Sequence, residues 1–359
     1  MWLFLVPSLL GGGDERPPAA WQALDQAVAG LSKAADEPRS FGFLVRGFAT
    51  GSAVESAEDT AAADVSGFAL EDVDVYFAAN HGDFAWRVSA DLDQSREQRS
   101  VELEDAHASW RHTEWFALTV GQFKPRVTRS GSIPASELLF RERTFLGAAF
   151  DAWDRGFEIG GHYDQFDYWL ALANGASGTQ KDHFYSGRVE WAFNDTAIED
   201  REGARGASRY LRILLGASLF ADDGPKPAEG QGYAADLAFT FGPYAFHGEW
   251  ADLRDFARTI DVFNGHTLDV ADGQPLAGTL SRRVGDELEL AVRYQRADEA
   301  DSTTALGLGA NWSPGGGPLR FLAEVEFVDG DQRDFSLFSI GASLGSSGLT
   351  RPFAAGTLN

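Results

Sequence analysis

"FAWRVSADLD" (84–93) alternates with a period of two: Phe84, Trp86, Val88, Ala90 and Leu92 fall on one side of an extended chain, and Arg87, Ser89, Asp91 and Asp93 on the other. One face is apolar and the other charged. The pattern returns in "YLRILLGASLF" (210–220), "GYAADLAFTF" (232–241), "ELELAVRYQR" (287–296) and "LRFLAEVEFV" (319–328). Together with weaker runs it predicts strands at 41–50, 68–79, 84–93, 101–110, 115–124, 155–163, 166–173, 184–193, 209–220, 231–241, 243–252, 256–263, 285–295, 303–312, 318–328 and 335–345. Most are about ten residues, the length a tilted strand needs to cross a bilayer. "NHGD" (80–83), "DQ" (164–165) and "GP" (242–243) read as tight turns, whereas 51–67, 125–154, 194–208, 221–230 and 264–284 read as long polar loops. Short turns on one rim and long loops on the other is the arrangement of an outer-membrane barrel.

A soluble sandwich also alternates, so the content of the polar face has to decide. Arg87, Asp91, Arg188, Glu190, Arg212, Glu249, Glu289, Arg293, Arg320, Glu324 and Glu326 all stand mid-strand. In a wide barrel they line a water-filled lumen, where charge costs little, and the aromatic rows face lipid. Trp86, Trp110, Trp115, Trp153, Trp191, Trp250, Trp312, Tyr163 and Tyr294 lie near strand ends as candidate interfacial girdles. The expected fold is all-β: a transmembrane antiparallel β-barrel of sixteen strands in the bacterial outer membrane, in contact with its lipid.

Composition agrees. The chain of 359 residues has 54 acidic against 30 basic residues, a net charge of -24 that opposes binding to nucleic acid. It holds no cysteine, which fits passage through an oxidising compartment, and no apolar run of the ~18–20 residues a membrane helix needs. Residues 1–18 read as a signal or leader segment. In 19–38, Trp21, Leu24, Val28 and Leu31 share one face of a short amphipathic periplasmic helix. The barrel is expected over 39–345 and a tail over 346–359.

"LTVGQFKPR" (118–126), "RERTFLGAAF" (141–150), "LALANGASG" (170–178), "GDELELAVRY" (285–294) and "LGLGANW" (306–312) resemble, in order, landmark segments of the phosphate-selective porin O and P family. The resemblance implies a sixteen-stranded barrel, a homotrimer, a loop that narrows the lumen, and passive diffusion of small hydrophilic solutes with a preference for anions, phosphate among them. The chain departs from outer-membrane barrels in running on through "GSSGLTRPFAAGTLN" (345–359) after its last alternating stretch, and the lumen is mixed in charge.

The loop after "GQFKP" concentrates cations. Residues 121–155 carry Lys124, Arg126, Arg129, Arg141, Arg143 and Arg155 against Glu137, Glu142, Asp151 and Asp154, a net charge of +2 within a chain of net -24. Folded into a barrel, Lys124, Arg126, Arg129, Arg141 and Arg143 become an anion-attracting constriction, Lys124 and Arg126 foremost, or else Arg141, Glu142 and Arg143 pair with lumenal carboxylates and pin the loop. Arg87, Asp91, Arg188, Arg212, Arg293 and Arg320 are the expected lining residues.

Rival readings are a barrel hydrolase and a structural or adhesive barrel. "GASLG" (341–345) satisfies G-x-S-x-G, making Ser343 a candidate nucleophile, but the glycine- and serine-rich run after it does not turn into a helix. His107, His162 and His247 stand in strands without recognisable partner spacing, and seven histidines give no zinc motif. "DGDQRD" (329–334) lacks the glycine and terminal glutamate of a calcium loop. No catalytic residue, metal or cofactor is expected, and the chain is expected not to be an enzyme.

Overall fold

The computed structural model describes residues 39–57, 66–92, 101–175, 182–193, 198–224, 230–263, 266–297, 302–330 and 333–345. The leader, the amphipathic helix and the tail expected from sequence lie outside the described residues. The described chain forms strands β1 (Arg39–Ala57), β2 (Ser66–His81), β3 (Phe84–Asp91), β4 (Glu102–Thr113), β5 (Phe116–Phe123), β6 (Asp154–Tyr163), β7 (Phe166–Ala173), β8 (Phe184–Phe193) and β9 (Arg212–Asp222). They continue with β10 (Gly230–Phe241), β11 (Tyr244–Phe263), β12 (His266–Gly273), β13 (Leu276–Val284), β14 (Leu288–Ala297), β15 (Thr303–Trp312), β16 (Leu319–Asp329) and β17 (Arg333–Gly345). Sequential strands pair antiparallel, and β17 returns to β1 from Leu44↔Gly345 to Ala57↔Arg333. β12 and β13 both pair with the long β11 and together make one stave, so the ring is a closed sixteen-stranded barrel. Closure leaves no edge among the described residues, and each of the sixteen staves finds backbone partners on both sides, as hydrocarbon demands.

The strand count agrees with expectation, but its composition differs. The predicted strands 243–252 and 256–263 are one strand, β11, bent at a bulge where Asp255 has φ 51° and Phe256 N donates to Asp272 Oδ1 at 2.7 Å. The missing stave lies in 266–284, which reads as loop because Gly273, Gln274 and Pro275 break it between β12 and β13.

Side-chain direction follows the alternation. Phe84, Trp86 and Val88 point out while Arg87 and Ser89 are buried inside; Leu219 on β9 is 65% exposed and its neighbour Ser218 only 7%. A continuous apolar exterior of this kind has no place in water and defines a surface for lipid. Trp110, Trp115, Tyr163 and Trp312 stand exposed at the tight-turn rim as an interfacial belt. Trp153 is not part of it: it lies in the loop before β6, where the Lys124 ammonium sits 4.0 Å from its ring centroid.

The interior is more filled than a wide aqueous lumen. Residues 124–153 fold inward as a loop with two helical turns, α1 (Arg129–Ser132) and α2 (Phe145–Ala149). Phe145, Leu146 and Phe150 pack with the inward Phe184, Phe220, Phe256 and Ile260. The rings of Phe150 and Phe220 meet edge-on at 4.9 Å. The loop therefore stands on an apolar footing against one side of the barrel.

Candidate functional site

The loop begins where the ladder between β4 and β5 runs out. Gly121, with φ 129°, packs so closely on β4 that a Cβ would lie 2.2 Å from Ala106 O, so "GQFKP" needs glycine there. From Lys124 the chain crosses the interior. Val127 O accepts from Arg188 Nη1 at 3.0 Å and from Ser218 Oγ at 2.6 Å, on β8 and β9. Arg141 N donates to Glu324 on β16 at 2.8 Å, and Arg46 on β1 donates to Ala135 O at 3.1 Å. Only a segment running through the barrel reaches walls this far apart in the ring.

Both helical turns are capped from within the loop. Thr128 and Thr144 accept from Gly131 N and Gly147 N at 3.1 and 2.9 Å. Thr144 Oγ1 also donates to the buried Glu249, which Ser130 Oγ meets at 2.6 Å. Thr144→Ala removes a cap and one donor to a buried carboxylate, and is expected to destabilise the protein by about 1–2 kcal/mol, read by urea or thermal denaturation.

All five predicted loop cations are buried and all five are paired. Lys124 and Arg143 converge on Asp151. Arg126 and Arg129 converge on Asp200, at 3.2 and 3.7 Å. Arg141 pairs with Glu71, which also faces Arg46 at 3.6 Å. Burial opposes the charge of Arg126, but Asp200, with Glu190 and Glu158 beyond it, more than offsets this and raises its pKa. Burial, with Arg46 adding to it, lowers the pKa of Arg143 to about 10, which still leaves it protonated at neutral pH.

The lining residues divide. Arg188 is gripped by Asp236 at 2.7 and 2.9 Å and by Glu190 at 2.8 Å. Arg293 holds Glu202 at 3.1 and 3.2 Å and lies 4.0 Å over the Phe140 ring. Arg87 pairs with Asp105 at 2.7 Å. Arg320 is buried on the inner wall, and half-buried Arg212 faces inward opposite Thr240 on β10. Asp91 stands in register between Asp74 and Glu102, three carboxylates side by side on β2, β3 and β4. The expected cheap solvation of these charges is thus corrected: Arg87, Arg188 and Arg293 are buried and compensated by carboxylates, and at Arg188 and Arg293 the loop itself takes the place of water, through Val127 O and Glu142 O.

Sequence reading missed Glu71, Asp200 and Glu202. The last two belong to the connection between β8 and β9, which reads as a polar loop; the run "EDREG" (199–203), acidic and ending at a glycine, was the available signal. Ser343 lies within β17, in register between Arg46 and Arg320, and the strand continues to Gly345 without the turn into a helix that a nucleophile elbow requires. His162 Nδ1 lies 2.8 Å from Asp167, and His247 Nε2 lies 3.8 Å from Glu249.

An apolar belt around a closed antiparallel barrel is the surface of a protein of the bacterial outer membrane. No family model matches the chain, and no curated protein matches it. The barrel is similar to solved outer-membrane structures. The anion-selective porin from Comamonas acidovorans superposes with a TM-score of 0.61 at 10% identity, covering 86% of this chain and 100% of that one. A loop L8 deletion mutant of OmpT, an outer membrane protein of Vibrio cholerae, gives 0.58 at 14% identity, with 86% and 99% covered. OprB of Pseudomonas putida gives 0.57 at 7% identity, with 90% and 97% covered. The expectation that the chain is not an enzyme is corrected here: the neighbours set porins beside OmpT, described only as an outer membrane protein, and a shared barrel carries no exclusion of catalysis. What these likenesses establish is the fold, a sixteen-stranded outer-membrane barrel of the kind porins have.

Proposed function

We propose that the protein is an outer-membrane porin through which small hydrophilic solutes diffuse, with the loop 124–153 as its constriction. One observation carries this reading: a polar, charge-lined inner wall is crossed by the inward-folded loop 124–153, whose Lys124 and Arg143 face Asp151 of the loop itself, Arg126 and Arg129 face Asp200 of the β8–β9 connection, and Arg141 faces Glu71 of the wall. Charges of both signs beside a narrowed path favour hydrated ions and small polar solutes over apolar ones.

The anion preference implied by the basic loop is retained in weak form. Each loop cation is partly cancelled by Asp151, Asp200 or Glu71, so its field on a passing anion is that of a dipole, which falls off faster than that of a free charge. Phosphate selectivity is supported by the resemblance of 118–126 and its companion segments alone. A homotrimer, also implied by that resemblance, is the proposed assembly.

Reconstitution in planar bilayers tests the reading. The expected result is ohmic current steps that grow with KCl concentration, a chloride-to-potassium permeability ratio within about threefold of unity, and no block by millimolar phosphate. Absence of conductance from folded protein would overturn the diffusion reading; a ratio far above that range would restore strong anion selectivity.

A further inference from the structure

In an antiparallel ring, alternate connections share a rim. The connection between β8 and β9 therefore lies on the tight-turn rim, opposite the one from which 124–153 enters. Its outer part is tied to that rim: Arg205 Nη2 donates to Gly316 O and Gly317 O, both at 3.3 Å, and Gly242 N donates to Ser208 O at 3.0 Å. Its inner part is inside the barrel. Ala204 is fully buried and Glu202 is 3% exposed. Gly203 has φ 90°, and a Cβ there would lie 2.5 Å from Glu289 Oε1. The main chains of loop and connection bond directly, Glu202 N donating to Glu137 O at 3.0 Å, and Glu202 Oε2 accepts from Leu139 N at 2.8 Å. Two segments from opposite rims are thus joined within the interior.

The acidic residues of the connection have different surroundings. Glu202 is sealed between Arg293 and the loop backbone, with no side-chain exposure. Asp200 keeps 23% of its side chain exposed while facing both Arg126 and Arg129, so it stays open to solvent where Glu202 does not. We propose that Asp200 is a selectivity-determining residue: held against the loop from the tight-turn side, its carboxylate cancels charge that Arg126 and Arg129 would otherwise present to small inorganic anions. The proposal rests on the diffusion reading above. It gives the connection, a separate element, the part at Arg126 and Arg129 that Asp151 of the loop and Glu71 of the wall play at the other loop cations.

The test is the reversal potential of the full-length protein in planar bilayers under a KCl gradient. In Asp200→Asn the chloride-to-potassium permeability ratio is expected to rise about threefold, since a unit charge within ~4 Å of two guanidinium groups is lost in a low-dielectric wall. Asp200→Glu, which keeps the charge, stays near wild type, and so does Asp286→Asn on an exposed tight turn of the same rim. Folding is verified by heat-modifiable mobility; should the asparagine variant not fold, Asp200→Ser takes its place, and Arg126→Gln shifts the ratio the other way. A folded, conducting Asp200→Asn channel with an unchanged ratio overturns the proposal and leaves the porin reading standing. A folded wild-type protein that passes no current removes both.

Discussion

Leu170→Arg is expected to destabilise the protein in a bilayer by about 2–4 kcal/mol, whereas Phe166→Arg on the same strand costs about 0–1 kcal/mol. Leu170 is 56% exposed at the middle of β7, beside Ile159 on β6 and Gly187 on β8, with its side chain pointing away from the interior. In water an exposed leucine replaced by arginine is nearly neutral. In hydrocarbon the guanidinium has to be desolvated or must pull water and headgroups inward, and near the membrane surface it escapes that cost by snorkelling. Phe166, 45% exposed at the tight-turn rim, is the matched position at the interface. Reversible urea unfolding and refolding with lipid vesicles reads both values. Equal, small costs at the two positions would mean that the apolar exterior does not face lipid.

The exterior was legible because lipid imposes one rule on every strand. Leu288, Leu290, Val292 and Tyr294 alternate with Glu289, Arg293 and Gln295 whatever their neighbours do, so period two survives in the sequence and fixes both strand and facing. β13 escaped because its outward positions include Gly278 and its inward ones Ala277, Thr279 and Ser281, leaving little contrast, and Pro275 advertises a break. Pro275 is accommodated because it falls between the two segments of the stave, where its carbonyl still accepts from Ala251 N at 3.1 Å.

The site was legible only in part. The cations of 124–143 announce a charged loop, and the "GQFKP" glycine is explained by the approach of β4. The partners of the loop are not written locally: Asp200 lies 74 residues beyond Arg126, and Glu71 lies 70 residues before Arg141. Pairing across such separations depends on which connections turn inward, and the volume left inside the closed ring decides that. For Arg141 and Arg143 both alternatives, free constriction or paired anchor, were readable; the pairing of Lys124, Arg126 and Arg129 is a property of the barrel.

The largest loss is expected at Arg188. Its guanidinium, with no side-chain exposure, bonds Asp236 through two nitrogens and Glu190 through a third contact, and donates to Val127 O of the loop. The space is fitted to this group: Gly216 lies opposite both carboxylates, and a Cβ there would come within 2.4 Å of Arg188 Nη2 and of Asp236 Oδ1. Arg188→Met fills similar volume but strands Asp236, itself 1% exposed, beside Glu190, so two like charges share a dry wall; the expected cost is about 3–5 kcal/mol. The double variant Arg188→Met with Asp236→Leu removes the stranded carboxylate and should recover more than half of that loss, because much of it is desolvated charge, not lost attraction. Glu190 and the lost bond to the Val127 carbonyl, which keeps only its bond from Ser218 Oγ, account for the part that does not return, and they predict that the loop loosens first. Limited proteolysis within 124–153 should accelerate in the single variant before the barrel itself unfolds in urea. A single variant costing under about 1 kcal/mol would show that water, not Arg188, already serves Asp236.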